Sequence, residues 1–155
     1  MKIIVTGANG QVGQELRQES VNQKFKIYFL DKSNFDLCDI INMNKQIYKV
    51  KPQAIINLAS YTNVKNAEKN REECFKINKE GISNLAKICK ENSILLFHIS
   101  SDYVFDGNKK DEYNEEDTTR PINVYGNSKL ISEDIIKNQL EKFIIIRTSW
   151  VFSSY

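Results

Sequence analysis

Tyr125 and Lys129 stand four residues apart in Tyr125-Gly126-Asn127-Ser128-Lys129, a spacing that sets a phenol and an ammonium on one face of a helix. A free tyrosine ionises near pH ~10, and a cation beside it favours the phenolate. Lowering that value by ~3 units takes ~4 kcal/mol of differential stabilisation. So tuned, Tyr125 could pass a proton to a carbonyl oxygen while a hydride reaches the carbonyl carbon, which is general acid catalysis near neutral pH. A hydroxyl partner comes from His98-Ile99-Ser100-Ser101-Asp102, at the end of an apolar run, where Ser101 is placed to hydrogen-bond the same carbonyl. The plainer alternative is that both serines merely finish a strand. His98 lies inside the apolar run and reads as a buried, hydrogen-bonded side chain, not a catalytic one. No Ser-His-Asp constellation is apparent.

A second site-forming stretch is Thr6-Gly7-Ala8-Asn9-Gly10-Gln11-Val12-Gly13, which follows the first apolar run and opens a helical pattern. In this spacing Gly7 allows a tight turn, Gly10 lets the backbone approach a pyrophosphate, and Gly13 lets the helix pack closely on the sheet. The amides at the helix N-terminus then point at the anion, which the helix dipole also favours. Its place at the first strand-to-helix junction makes the triplet a dinucleotide signature, against the alternative of a glycine-rich turn with no ligand. Asp31 follows Gly13 by 18 residues, near the ~20-residue offset of an acid that bonds the adenosine ribose. An ordinary turn aspartate is the alternative. Lys32 and Ser33 could instead accept a 2′-phosphate, so the choice between NADH and NADPH stays open.

These residues need a scaffold, and the hydrophobic pattern supplies one. Near-continuous apolar runs at 2–6, 26–31, 54–58, 94–100 and 143–148 read as parallel strands buried on both faces. Helical patterns at 11–18, 43–50, 72–91 and 125–140 lie between them, and a short extra strand is expected near 34–37. The rhythm implies right-handed crossovers and an α/β, Rossmann-type doubly wound parallel sheet with helices on both faces, in one domain over 1–155. The polar, turn-rich stretch 106–121 reads as a surface loop delivering the helix that begins near Tyr125. Lys and Arg number 22 against 20 Asp and Glu, a net charge of +2 that gives no long-range field for nucleic acid or an anionic membrane. Three unpaired-looking cysteines suggest free thiols in a reducing, cytoplasmic setting. One histidine and no Cys-x-x-Cys pair argue against zinc, so no metal is expected. Nothing reads as a signal peptide, and no apolar run approaches the ~18 residues of a membrane span. The chain stops at Tyr155 shortly after a strand, which reads as a shortened protein.

The glycine loop, Ser101 and Tyr125-x-x-x-Lys129 together resemble the extended short-chain dehydrogenase/reductases. Further stretches narrow the resemblance to the dTDP-4-dehydrorhamnose reductases across essentially the whole chain. They are Ile56-Asn57-Leu58-Ala59-Ser60-Tyr61-Thr62-Asn63-Val64 with Ala67-Glu68, Ser101-Asp102-Tyr103-Val104-Phe105-Asp106-Gly107, Pro121-Ile122-Asn123-Val124-Tyr125-Gly126, and Arg147-Thr148-Ser149-Trp150-Val151-Phe152. The resemblance implies NADPH or NADH as cofactor, with roles for Gly10, Gln11 and Val12 over the glycine loop. It implies adenine contacts from Asp39 and Ile40, and nicotinamide-side contacts from Ser60, Tyr61 and Thr62, with Ile99 along the cofactor. Lys129 would also hold the nicotinamide ribose. Ser101 and Asp102 match positions that touch a sugar nucleotide, and Trp150 would pack against it. Ser101 departs from a more usual threonine, and Phe152 from a tyrosine. Family members run to nearly twice this length, so the C-terminal substrate portion is expected to be absent here; a homodimer of the full-length form is compatible with the resemblance. A sugar-nucleotide epimerase or dehydratase, or a non-catalytic dinucleotide-binding regulatory subunit, are the alternative functions. The intact Ser101, Tyr125 and Lys129 speak against the last.

Overall fold

The computed structural model describes residues 1–22 and 24–152; Tyr155, where the chain ends, lies outside them. Five strands form one parallel sheet in the order β2-β1-β3-β4-β5. They are β1 (Lys2–Thr6), β2 (Lys26–Phe29), β3 (Ala54–Asn57), β4 (Leu95–Ser101) and β5 (Phe143–Thr148). The order reverses between β1 and β3: β1 pairs with β2 on one side, Ile3 opposite Ile27, and with β3 on the other, Ile3 opposite Ala54. That switch point opens a crevice beyond the carboxyl ends of the strands, where open α/β sheets bind ligands.

Helices cover both faces of the sheet. Helix α1 (Gln11–Glu19) covers one face, with Leu16 packed beside Ile3, Val5 and Ala54. Helices α2 (Ile40–Val50), α5 (Ile82–Glu91) and α6 (Val124–Gln139) cover the other. Met43, Ile47, Leu85, Ile88 and Ile136 there close over Ile4, Ile55 and Leu96 of the sheet. The alternation of a pleated strand carries this face from grease to polarity within one step. Beyond Ile4, Ile55 and Leu96 come Thr6, Asn57, His98 and Ser100, all buried. A polar layer therefore floors the crevice. None of the described helices is long and apolar enough to cross a membrane.

Two expectations need correction. Residues 34–37 form turns and irregular backbone, not a strand. Phe35 N–H bonds back to the Asp31 carbonyl, and Asp36 Oδ1 accepts from Cys38 N–H, local bonds that compete with a sheet ladder. Phe35 and Leu37 still bury their side chains in the core. The stretch read as one helix over 72–91 is three pieces: α4 (Arg71–Phe75), a π-helical turn (Lys76–Gly81) and α5. The wide turn turns Asn78 inward, and π-turns of this kind gather at functional sites. A four-residue helix, α3 (Val64–Ala67), was too short to show in the periodicity; the Asn63 side chain caps it by accepting from Asn66 N–H.

Candidate active site

The cleft at the switch point measures about 620 Å³, within the size range of small-molecule sites. Its first wall is the glycine loop, with Gly7, Gly10, Gln11, Val12 and Gly13 all lining it. Gly7 has φ +65°, and a Cβ there would lie 2.7 Å from the Ala59 backbone nitrogen, so only glycine lets this turn press against the loop after β3. A Cβ on Gly13 would lie 2.7 Å from the Ala8 carbonyl oxygen, so glycine lets α1 close on the loop that starts it. Gly10 is the N-cap of α1 and gives no side-chain cap. The first-turn amides of Gln11, Val12 and Gly13 are donors with no partner one turn back. A bare helix N-terminus floored by glycine suits a pyrophosphate.

The opposite wall comes from α6. Asn123 Oδ1 accepts from Gly126 N–H at 2.7 Å, and Glu68 Oε1 from Val124 N–H at 2.8 Å, which starts the helix at Val124. Tyr125 and Lys129 then fall in its first two turns, both buried and both facing the cleft. A Cβ on Gly126 would run into the Tyr103 carbonyl, so that glycine lets α6 lie directly on the turn after β4. Tyr103 meets Tyr125 edge to face, ring centres 5.7 Å apart.

Ile99, Ser101 and Asp102 from the end of β4 line the floor, with Ser60 and Thr62 from the loop after β3 and Trp150 after β5. Ser101 Oγ donates to Asp102 Oδ1 (3.0 Å) and accepts from Tyr103 N–H; Ser149 Oγ holds the other Asp102 oxygen at 2.7 Å. Trp150 lines the cleft from φ +47° and stands 85% exposed.

Four expected site residues lie outside the lining. Asp31 sits past the end of β2, where Ser33 N–H and Oγ–H bond one carboxylate oxygen and Asn9 Nδ2 the other at 3.0 Å. Ser33 chiefly holds this carboxyl below its ordinary range, and Asn9 ties it to the glycine loop. Asp39 caps α2 by accepting from Asn42 N–H at 2.9 Å, and Ile40 packs against the main core. Tyr61 packs with Val64 beside Ala67, Cys74 and Tyr125.

Electrostatics depart from the simple pairing of phenol and ammonium. Burial raises the Tyr125 hydroxyl above its ordinary value; Ser101 pulls it down, while Asp102, Cys74 and Tyr103 push it further up. Lys129 spends its donors elsewhere, on the Ile99 carbonyl at 2.7 Å and toward Ser60 Oγ at 3.5 Å. Burial lowers Lys129 to about 8, against an upward pull from Glu133 and Cys74. The sign gives a prediction. From about pH 8 to 10.5 the unfolded chain holds a proton on this lysine that the folded chain does not, so the lysine's contribution makes folding more favourable as pH rises through that window. In urea titrations the wild type should gain on Lys129→Met across it by roughly 3 kcal/mol. A constant gap between the two proteins would contradict a depressed Lys129.

Sequence reasoning missed the groups that hold this site from behind. Asn78, in the π-turn, accepts from Tyr61 N–H (2.8 Å) and Ser60 Oγ–H (3.0 Å) and donates to Ser128 Oγ (2.9 Å) and the Tyr61 carbonyl. It thereby fixes the loop after β3 against α6. A lone asparagine in a helical pattern carries no visible signal of such a role.

The family model described as the RmlD substrate binding domain matches residues 1–155. The chain belongs to this family. Among the curated relatives it matches, the dTDP-4-dehydrorhamnose reductase of Sinorhizobium fredii is 39% identical over all of this chain and 52% of its own length. That of Aggregatibacter actinomycetemcomitans is 37% identical over 99% of this chain and 53% of its own. The chain thus spans about half the length of the curated relatives it matches. A solved dTDP-4-dehydrorhamnose reductase from Bacillus anthracis, in complex with NADP, superposes with a TM-score of 0.95 at 38% identity, over 99% of this chain and 55% of that one. A UDP-glucose 4-epimerase from Thermus thermophilus, at 19% identity and a TM-score of 0.86 over 95% of this chain and 54% of that one, shares the fold.

Proposed function

We propose that this chain forms the cofactor-binding half of an NAD(P)H-dependent reductase that converts dTDP-4-dehydro-6-deoxy-L-mannose to dTDP-L-rhamnose. One observation carries the reading: Ser101, Tyr125 and Lys129 converge on the same cleft as an uncapped, glycine-floored helix N-terminus. The relatives named above support the sugar nucleotide as substrate. Gly10, Gln11, Val12 and Gly13 would hold the pyrophosphate, with Asp31 toward the adenosine ribose and Asp39 and Ile40 toward the adenine. Ser60, Tyr61, Thr62 and Ile99 would flank the nicotinamide end, and Lys129 would bond its ribose. The bound nicotinamide supplies the hydride.

The chain's own groups do the rest. The Tyr125 hydroxyl, kept protonated at neutral pH by its raised value, gives its proton to the carbonyl oxygen as negative charge develops there. Ser101 Oγ–H turns from Asp102 to the same oxygen, its place on Asp102 being one that a substrate hydroxyl can take. Asp102 and Trp150 would grip the sugar nucleotide. Three free thiols, Cys38, Cys74 and Cys89, suit a soluble cytoplasmic enzyme.

The test is calorimetric titration with NADPH and NADH. A Cβ at Gly10 already lies 3.3 Å from the Gly7 carbonyl, and a valine there would put methyl groups where the pyrophosphate must approach. Gly10→Val should therefore abolish binding that the wild type shows. Equal affinity in the two proteins would remove the cofactor from this cleft.

A further inference from the structure

His98 is 1% exposed and sits behind the cleft floor, between Asn57 on β3 and Lys129 and Ser132 on α6. The hydrogen bonds around it determine where its proton lies. Ala59 N–H occupies the Thr6 oxygen, and the Thr6 hydroxyl donates to Asn57 Oδ1 at 2.6 Å. Asn57 Nδ2 also donates to the Ala59 carbonyl at 3.2 Å, which fixes which end of the amide is which. Its second N–H therefore points at His98 Nδ1, 3.0 Å away, and that nitrogen must accept. The neutral ring carries its proton on Nε2. Ser132 Oγ, 3.2 Å off, can accept it, because the Ser132 proton is donated to the Lys129 carbonyl at 2.6 Å. Burial first, and Lys129 next, hold the imidazole well below its ordinary range, so it stays neutral.

Lys129 Nζ lies 3.4 Å from that same Nε2. A protonated lysine has three donors and no acceptor, so it faces an N–H with an N–H. We propose that His98 is a positioning residue for Lys129: its ring is fixed as the Nε2–H tautomer by Thr6 and Asn57, and this N–H turns the lysine's donors toward Ile99, Ser60 and the cleft. A deprotonated Lys129, by contrast, offers a lone pair that Nε2–H can bond while shared with Ser132 Oγ. The arrangement favours the amine over the ammonium, the same direction in which burial moves Lys129. The charged and titratable groups facing Lys129 are otherwise Glu133 from its own helix and Cys74 from α4, both of which pull the other way. An ammonium that releases its proton readily is suited to restoring the proton that Tyr125 gives up.

The inference rests on the role proposed for Lys129, but its measurements need no keto-sugar substrate, so it and the reductase reading can fail separately. His98 is the only histidine of the chain, and nitrogen-15 histidine labelling therefore yields one ring. The expected spectrum has a bare Nδ1 and a protonated Nε2 at neutral pH, and the Nε2 resonance shifts with the same midpoint as Lys129 itself. A proton on Nδ1, or an Nε2 resonance flat through the Lys129 titration, overturns the proposal without any variant. Two variants extend the test. An asparagine at this position reaches only the Nδ1 site, whereas a glutamine reaches the Nε2 site with an N–H. His98→Asn should raise the Lys129 midpoint by about one pH unit, and His98→Gln should leave it near wild type. Equal midpoints in the two would reduce His98 to a packed core residue.

Discussion

Tyr125→Phe in the full-length form of the proposed reductase should bind NADPH as the wild type does and turn over ~10²–10⁴-fold more slowly, the range a positioned general acid contributes. The ring is buried against Tyr103, Ala67 and Cys74, and a phenylalanine keeps every one of those contacts. Only the hydroxyl is lost, and its sole task in the proposed reaction is the proton. The sign of the pH dependence follows from its environment. Burial and the neighbouring Asp102 hold the phenol above its ordinary value, with Ser101 opposing them, so the donor form persists through neutral pH and reduction slows only on the alkaline side. Oxidation in reverse needs the phenolate and should improve as pH rises. The assay is loss of the reduced-nicotinamide absorbance on adding the keto-sugar nucleotide. Undiminished turnover in the Tyr125→Phe variant would remove this hydroxyl from the proton-transfer step.

That raised phenol also marks the limit of what spacing can tell. Tyr125 and Lys129 were legible because four residues along a helix fix a shared face, and the glycine triplet because its junction with β1 is local. Five strands stood out as apolar runs, with ends that moved by at most two residues. The direction of the Tyr125 shift was not legible, because burial sets it first and Ser101, Asp102 and Cys74, all remote in sequence, adjust it. The polar floor behaves likewise. Thr6, Asn57, His98 and Ser132 are separated by 51, 41 and 34 positions and meet only because β1, β3, β4 and α6 are adjacent. The π-turn was hidden inside a good helical pattern, since its period differs from 3.6 only over six residues. Asp39 gives the converse case: resemblance points it at adenine, while the geometry engages it first as the cap of α2.

The largest stability effect is expected at Glu133. Its side chain is fully buried one turn beyond Lys129 and accepts four donors: Ser100 Oγ at 2.6 Å, Arg147 Nε at 3.0 Å, Arg147 Nη2 at 2.7 Å and Lys137 Nζ at 3.2 Å. It joins α6 to β4 and β5 directly beneath the residues that carry the proposed chemistry. Burial alone would raise this carboxyl, yet Arg147, Ser100 and Lys137 outweigh it and hold the group below its ordinary value. A folded value below the unfolded one means the stabilisation is present above about pH 4.5 and is lost as pH falls through the folded value. Glu133→Ala should cost about 3–5 kcal/mol at pH 7, because it leaves the half-buried Arg147 and the buried Ser100 without their partner. Glu133→Leu combined with Arg147→Met should cost less than either single change, since the pair's desolvation penalty is then lifted along with its attraction. Urea unfolding at pH 7 and pH 4 distinguishes the cases. A single-variant loss under about 1 kcal/mol, the worth of a surface ion pair, would mean that water reaches this cluster and that α6 is anchored by apolar packing alone.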